Sequence, residues 1–140
     1  MPGKGFCKIS KYIETIKKNL EQLCIILFGS VARGDYNERS DIDLVIISNS
    51  FPKNSLKRLK LLMDLIGNLT PIEPFGYTDE EFKNMIEKRH LTALFAMEEG
   101  IALYGTKYFK KLRKQYNIMK KRTGLVLEDC IWVPTKLINE

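Results

Sequence analysis

Cysteine, histidine and tryptophan are scarce in this chain of 140 residues. Its three cysteines, Cys7, Cys24 and Cys130, have no metal-ligand spacing, and an odd number argues against a secreted disulfide framework. We therefore expect a reducing, cytoplasmic location. The only histidine, His90, has no cysteine or second histidine near it in the sequence, so a helix-surface or core position is favoured over a metal ligand.

Long apolar runs are also missing, and so are two familiar glycine-rich motifs. No run approaches the length of a membrane span, and residues 1–18 are rich in lysine without the apolar core of a signal peptide. We expect no membrane partner. The sequence contains neither a Walker motif nor a dinucleotide fingerprint. An apolar fraction of 44% is ample for the core of one domain.

Acidic residues are absent from one stretch near the C-terminus. Residues 107–122 contain eight basic side chains and no acidic one, in a chain whose net charge is +6. The stretch is either a solvated helix face or a surface for an acidic partner. Nucleic acid is a further alternative, which we rank below a protein partner.

The central feature of the chain is a pair of apolar runs joined by a polar connection. The first run, residues 24–28, ends at Gly29-Ser30, and the second, residues 44–47, begins just after Asp41 and Asp43. Residues i and i+2 of a strand point to the same face, so these two carboxylates would project side by side. Adjacent carboxylates repel unless a cation lies between them, and Mg²⁺ prefers such ligands.

Apolar spacing predicts an α/β (α+β) fold in which a small sheet is covered by helices. The predicted helices are 9–23, 56–69, 79–97 and 107–122, and the predicted strands are 24–28, 41–48, 70–77 and 101–104. Thr78 and Glu81 form a predicted capping box. Prolines at 71 and 74 place the third strand at an edge of the sheet. We predict a domain over 1–122 and a C-terminal tail over 123–140, packed on the domain or on a partner.

The arrangement Gly29-Ser30, ten residues, then Asp41-Ile42-Asp43 resembles the signature of the DNA polymerase beta-like nucleotidyltransferase superfamily. The chain looks most like the minimal nucleotidyltransferases (MNT), small proteins that include MntA-type antitoxins of HEPN toxins. The resemblance covers roughly residues 9–105 and is sharp only over 27–47. It implies a small mixed sheet backed by helices, in agreement with the apolar pattern.

The resemblance implies a catalytic and metal-binding role for three carboxylates. Asp41 and Asp43 would hold Mg²⁺, whereas the alternative is a solvated strand start. The family usually has a third carboxylate on a neighbouring strand, which completes the metal site and takes the proton of the attacking hydroxyl. Glu73 is the only acidic residue of the third strand, although the family usually places aspartate there. Its alternative is an exposed edge glutamate.

The resemblance also implies a phosphate-binding role for Gly29 and Ser30, which would hold the terminal phosphates of the nucleotide. The alternative is a plain strand-to-helix turn with serine as its N-cap. For Arg33 two readings stay open: it contacts phosphate, or it pairs with Asp35 or Glu38.

By resemblance, the expected function is Mg²⁺-dependent transfer of a nucleoside monophosphate, AMP from ATP, to a hydroxyl. The expected acceptor is a tyrosine of a partner HEPN toxin, so that the chain would act as an antitoxin. The alternatives are a non-catalytic module that binds a nucleotide or a partner, and a transferase acting on a small-molecule hydroxyl. The oligomeric state stays open, with a homo-oligomer among the alternatives.

Overall fold

The computed structural model describes residues 4–21, 23–34, 42–66, 72–128 and 131–134. A central sheet has the strands β1 (Cys24–Phe28), β2 (Ile42–Ile47), β3 (Ile72–Tyr77) and β4 (Ile101–Tyr104). The strand order is β3-β2-β1-β4. Since β1 runs antiparallel to β2 and β4 while β3 runs parallel to β2, the sheet is mixed.

Helices cover both faces of this sheet: α1 (Lys4–Asn19), α2 (Ser30–Arg33), α3 (Ser55–Ile66), α4 (Asp79–Glu87), α5 (Leu91–Glu99) and α6 (Thr106–Thr123). One apolar core lies between α1, α3 and the strand face that carries Ile25 and Leu44. The other lies between α4, α5, α6 and the face that carries Ile26 and Val45. The predicted mixed sheet backed by helices is confirmed. No helix within the described ranges is both long and apolar enough to cross a bilayer.

The edge position predicted for the third strand is confirmed, and Pro74 explains it. The carbonyl oxygen of Tyr77 accepts from the N–H of Ser48, so residue 77 faces the sheet. Backbone groups alternate along a strand, and residues 74 and 76 therefore face outward. A proline fits there because it has no N–H to donate. The outward carbonyl of Gly76 accepts from Arg58, a buried residue of α3.

The predicted helix over 79–97 begins as expected but is divided in two. Thr78 and Glu81 form the predicted capping box at its start. The prediction of one continuous helix is wrong, because Arg89 adopts a left-handed conformation with φ of 57° and ends α4. His90 then caps α5, its Nδ1 accepting from the N–H of Thr92. The histidine is thus a surface capping residue.

The described part of the C-terminal segment forms a β-hairpin. Gly124, in a left-handed conformation, ends α6, and β5 (Leu125–Glu128) then pairs antiparallel with β6 (Ile131–Pro134). Trp132 packs edge-on against Phe95 of α5, with ring centroids 4.2 Å apart. The described part of this segment therefore packs on the domain. The boundary at residue 122 stays a prediction.

The basic stretch on α6 divides into two sets of side chains. Arg113 donates to the carbonyl of Met97, Lys120 pairs with Glu98, and Arg122 pairs with Glu87. These three cations hold α6 against α4 and α5. The others lie on the exposed side of the helix: Lys107, Lys110, Lys111, Lys114 and Lys121.

Candidate active site

The turn after β1 brings Gly29 against the carboxylate of Asp43. Phe28, the last residue of β1, stands opposite Asp43 of β2 in the antiparallel register. The chain then turns at Gly29 with φ of 79°, a region that favours glycine. A Cβ at this position would lie 2.3 Å from Oδ2 of Asp43. The missing side chain of Gly29 therefore makes the room that the Asp43 carboxylate occupies, a role that the sequence pattern alone did not reveal.

Asp43 and Glu73 stand side by side on neighbouring strands. They are register partners in the parallel pair of β2 and β3, so their side chains leave the same face of the sheet. Neighbouring strands are about 4.8 Å apart. Asp43 is half-buried, whereas Glu73 is exposed near the start of the edge strand. The topology thus joins two carboxylates that lie thirty positions apart in the chain. Their chemical roles stay predictions.

Two phenylalanines line the sheet next to this carboxylate pair. Phe28 is the cross-strand neighbour of Asp43, and Phe75 follows Glu73 by two residues on the same face. Their rings pack with centroids 5.8 Å apart. Apolar walls lower the local dielectric and strengthen the attraction between a carboxylate and a cation. Strand alternation, applied to residues i and i+2, would have placed Phe75 on the face of Glu73 from the sequence, whereas the position of Phe28 depends on the register of β1 with β2.

Arg33 takes a partner that the sequence reasoning did not consider. Its guanidinium lies 2.8 Å from the carboxylate of Glu99, at the C-terminal end of α5. This ion pair ties the short helix α2 to the helical layer. Asp35 and Glu38, the partners considered from the sequence, lie outside the described residues. Contact between Arg33 and a phosphate stays a prediction.

The carboxylates that the structure describes fit a hard divalent cation, although the predicted set of three is not all within the described residues. Asp41 lies outside them, as does the side chain of Ser30. Within the described ranges, no three metal-ligating side chains come together. Asp43 and Glu73 nonetheless stand on neighbouring strands with their side chains on one face of the sheet, and carboxylate oxygens are donors that Mg²⁺ prefers. Completion of the site by Asp41 stays a prediction.

Comparison with protein families gives a match over nearly the whole chain. Residues 7–137 match the family described as "Nucleotidyltransferase domain". The match includes the Gly29-Ser30 turn, both aspartates, Glu73 and the C-terminal hairpin.

Known relatives match shorter parts of the chain. Two of these relatives are proteins of Methanocaldococcus jannaschii that are named as inferred protein adenylyltransferases. One is 37% identical over 60 residues, which cover 41% of this chain and 41% of that protein. The other is 58% identical over 40 residues, which cover 29% of this chain and 34% of that protein. The chain thus spans less than half the length of these two relatives.

Solved structures share the fold. A chain of a toxin-antitoxin complex crystallised with AMP-PNP superposes with a TM-score of 0.60 at 19% identity, over 81% of this chain and 86% of that chain. A chain of the complex between tri-AMPylated Shewanella oneidensis HEPN toxin and its MNT antitoxin gives a TM-score of 0.59 at 16% identity, over 85% and 88%. At such identities the likeness establishes a common fold.

Proposed function

Because the chain belongs to the nucleotidyltransferase domain family, we propose that it transfers AMP from ATP to a protein hydroxyl with the help of Mg²⁺. The observation that carries the proposal is the register of Asp43 with Glu73, beside a turn where Gly29 leaves room for the Asp43 carboxylate. A paired set of carboxylates next to a glycine turn suits phosphoryl chemistry, in which a metal and a triphosphate must approach the backbone closely.

In this proposal the chain's residues divide into metal ligands and phosphate ligands. Asp41 and Asp43 hold the metal, with Glu73 beside them. The N–H groups at the start of α2 and the hydroxyl of Ser30 face the terminal phosphates, with Arg33 as a further cation. When bound, Mg²⁺ neutralises charge on the phosphate oxygens and on the leaving group.

The reaction is an in-line displacement at the α-phosphorus of ATP. The acceptor oxygen forms a bond to that phosphorus while the bond to the oxygen bridging the α- and β-phosphates breaks, and pyrophosphate leaves. Glu73 takes the proton of the acceptor hydroxyl. A general base must lie within hydrogen-bond reach of the proton that it takes. A glutamate at the exposed edge of the sheet can be approached by a macromolecular acceptor from solvent.

The proposed acceptor is a tyrosine of a HEPN-type toxin, which makes this chain an antitoxin. Two comparisons support this choice. The relatives in Methanocaldococcus jannaschii bear names of protein adenylyltransferases, and a structural neighbour is the complex of an MNT antitoxin with an AMPylated HEPN toxin. Both observations concern other proteins, so the acceptor remains our proposal for this one.

The test uses ATP labelled with radioactive phosphorus at the α or the γ position, and a HEPN-type protein from the same genome as acceptor. We expect label from the α position only, in Mg²⁺ and not in EDTA. Asp43→Asn should abolish labelling, whereas Glu14→Gln, a change at an exposed glutamate on α1, should leave it unchanged. Label from the γ position would make the chain a kinase. Binding of ATP without any transfer would favour the non-catalytic module.

A further inference from the structure

Helix α3 carries a row of exposed apolar side chains. Leu56, Leu59 and Met63 are 75%, 49% and 47% exposed. Their spacing of i, i+3 and i+7 places them on one face, which we call the α3 seam. Of the seven large apolar side chains that are exposed within the described residues, three belong to this seam. Contiguous exposed apolar surface of this kind marks an interaction site.

The α3 seam borders a groove that runs along the β3 edge of the sheet. The groove has a volume of about 570 Å³ and lies between α3, β3 and α4. Leu59 belongs to both features, and Pro74, Gly76 and Met85 line the groove farther along. A stable interface buries about 800 Å² on each partner, more than three side chains supply, so a partner on the seam must also cover the groove.

The groove and the start of α3 beside the seam carry a surplus of positive charge. Arg58 pairs with Glu81 at 2.6 Å, and Lys60 pairs with Asp64 at 3.4 Å, so these charges cancel within the chain. Three further cations have no acidic partner among the described residues: Lys53 and Lys57 near the start of α3, and Lys88 in the groove. Charge complementarity therefore favours an acidic partner. A second copy, with a net charge of +6, would bring like charges together.

The groove adjoins the candidate catalytic residue on the same strand. Pro74 directly follows Glu73, and Phe75, which also lines the groove, leaves the same face of β3 as Glu73. Each residue of a strand advances about 3.3 Å. A chain bound in the groove would therefore lie within about 10 Å of Glu73, the proposed base.

We infer that the α3 seam and the adjoining groove bind an amphipathic helix of a partner protein, with large apolar residues at i, i+3 and i+7 and acidic residues beside them. Helix-in-groove recognition uses this spacing of anchor residues. We further assign this partner as the protein that carries the acceptor hydroxyl, which rests on the proposed function. The docking surface itself requires neither ATP nor Mg²⁺.

The binding test uses a fluorescein-labelled helical peptide with leucines at i, i+3 and i+7 and glutamates flanking them. Fluorescence anisotropy is measured without ATP or Mg²⁺. Leu56→Ser with Met63→Ser should weaken binding by about tenfold or more, the scale of removing two large apolar contacts. The matched control is Leu91→Ser with Ile118→Ser, which alters residues that are 62% and 57% exposed but lie on other helices. The control should bind like the wild type.

A second pair of substitutions tests whether the docking surface prefers an acidic partner. Lys53→Glu with Lys57→Glu should weaken binding of the acidic peptide and should not weaken binding of a version with lysines in place of the glutamates. Equal affinity of the wild type for both peptides would overturn the inference of an acidic partner. Equal peptide affinity of the seam variant and the wild type would show that the α3 seam is not the docking surface. A wild-type dimer in light scattering that the seam variant abolishes would make a second copy the occupant.

Transfer activity separates this inference from the proposed function. If the wild type binds the peptide but transfers no AMP, the proposed function fails and the docking surface stands. If the seam variant labels the HEPN-type acceptor with the wild-type KM, the surface does not receive the acceptor, and that part of the inference is wrong. The expected result is a raised KM for the acceptor protein, with the affinity for ATP unchanged.

Discussion

The carboxylate of Asp43 occupies space beside residue 29 that only a glycine leaves free. A Cβ on residue 29 would lie 2.3 Å from Oδ2 of Asp43, closer than such atoms approach in proteins, and the backbone there has φ of 79°. The position of a proposed metal ligand on β2 thus depends on the turn that follows β1. The Gly-Ser turn and the aspartate form one geometric unit rather than two adjacent motifs.

Gly29→Ala is expected to damage both stability and transfer, because the new methyl group displaces the Asp43 carboxylate. Gly34→Ala is a matched control, since Gly34 has φ of 81° but no atom within 4 Å of the place where a Cβ would be. Each substitution carries the left-handed strain of about 1–2 kcal/mol. Only Gly29→Ala should also weaken ATP binding in Mg²⁺, measured by titration calorimetry. Equal losses of ATP affinity in the two variants would contradict the close approach.

Asp41→Asn combined with Asp43→Asn is expected to leave the fold intact while abolishing transfer. The change removes charge but keeps shape, and it relieves repulsion between neighbouring carboxylates, so the melting temperature should hold or rise. Circular dichroism melts and the labelling assay measure the two effects. A collapsed melting temperature would show that the aspartates are structural.

Glu73→Gln is expected to lower the transfer rate by on the order of a hundredfold or more, the scale of losing a general base. ATP binding should weaken less, because the glutamine keeps the shape of the side chain and the two proposed metal ligands, Asp41 and Asp43, are unchanged. Glu80→Gln, an exposed glutamate on α4, is the control and should leave the rate unchanged. Rates are measured in single turnover at saturating ATP. A Glu73→Gln rate within threefold of the wild type would leave proton transfer to another group.

Local sequence patterns were sufficient for most of the elements. The apolar run before Gly29 predicts β1, and its bounds agree with the structure. The capping pair Thr78 and Glu81 predicts the start of α4, and Pro74 predicts the edge strand, since each signal depends on the hydrogen bonds of a few neighbouring residues. Such local preferences are readable without knowledge of the rest of the chain.

Long-range partners could not be predicted in the same way. The ion pair of Arg33 with Glu99 joins residues 66 positions apart, and the register of Asp43 with Glu73 depends on how β2 and β3 align. The break at Arg89 was also missed, because nothing in its residue type indicates a left-handed conformation. These features arise from the packing of whole elements rather than from local preference.

The pair of Glu81 with Arg58 should make stability depend on pH below neutrality. Burial opposes ionisation of Glu81, but hydrogen bonds from Arg58 and Thr78 outweigh it, so the pKa of Glu81 lies below its ordinary value. The ionised form therefore stabilises the fold above the unfolded-state pKa, about 4.3, and this contribution is lost as the pH falls through the lower folded-state pKa. Glu81→Gln should lower the melting temperature at pH 7, with a gap that narrows toward pH 3. A Glu81→Gln gap of constant size would show that the carboxylate acts through shape and not through charge.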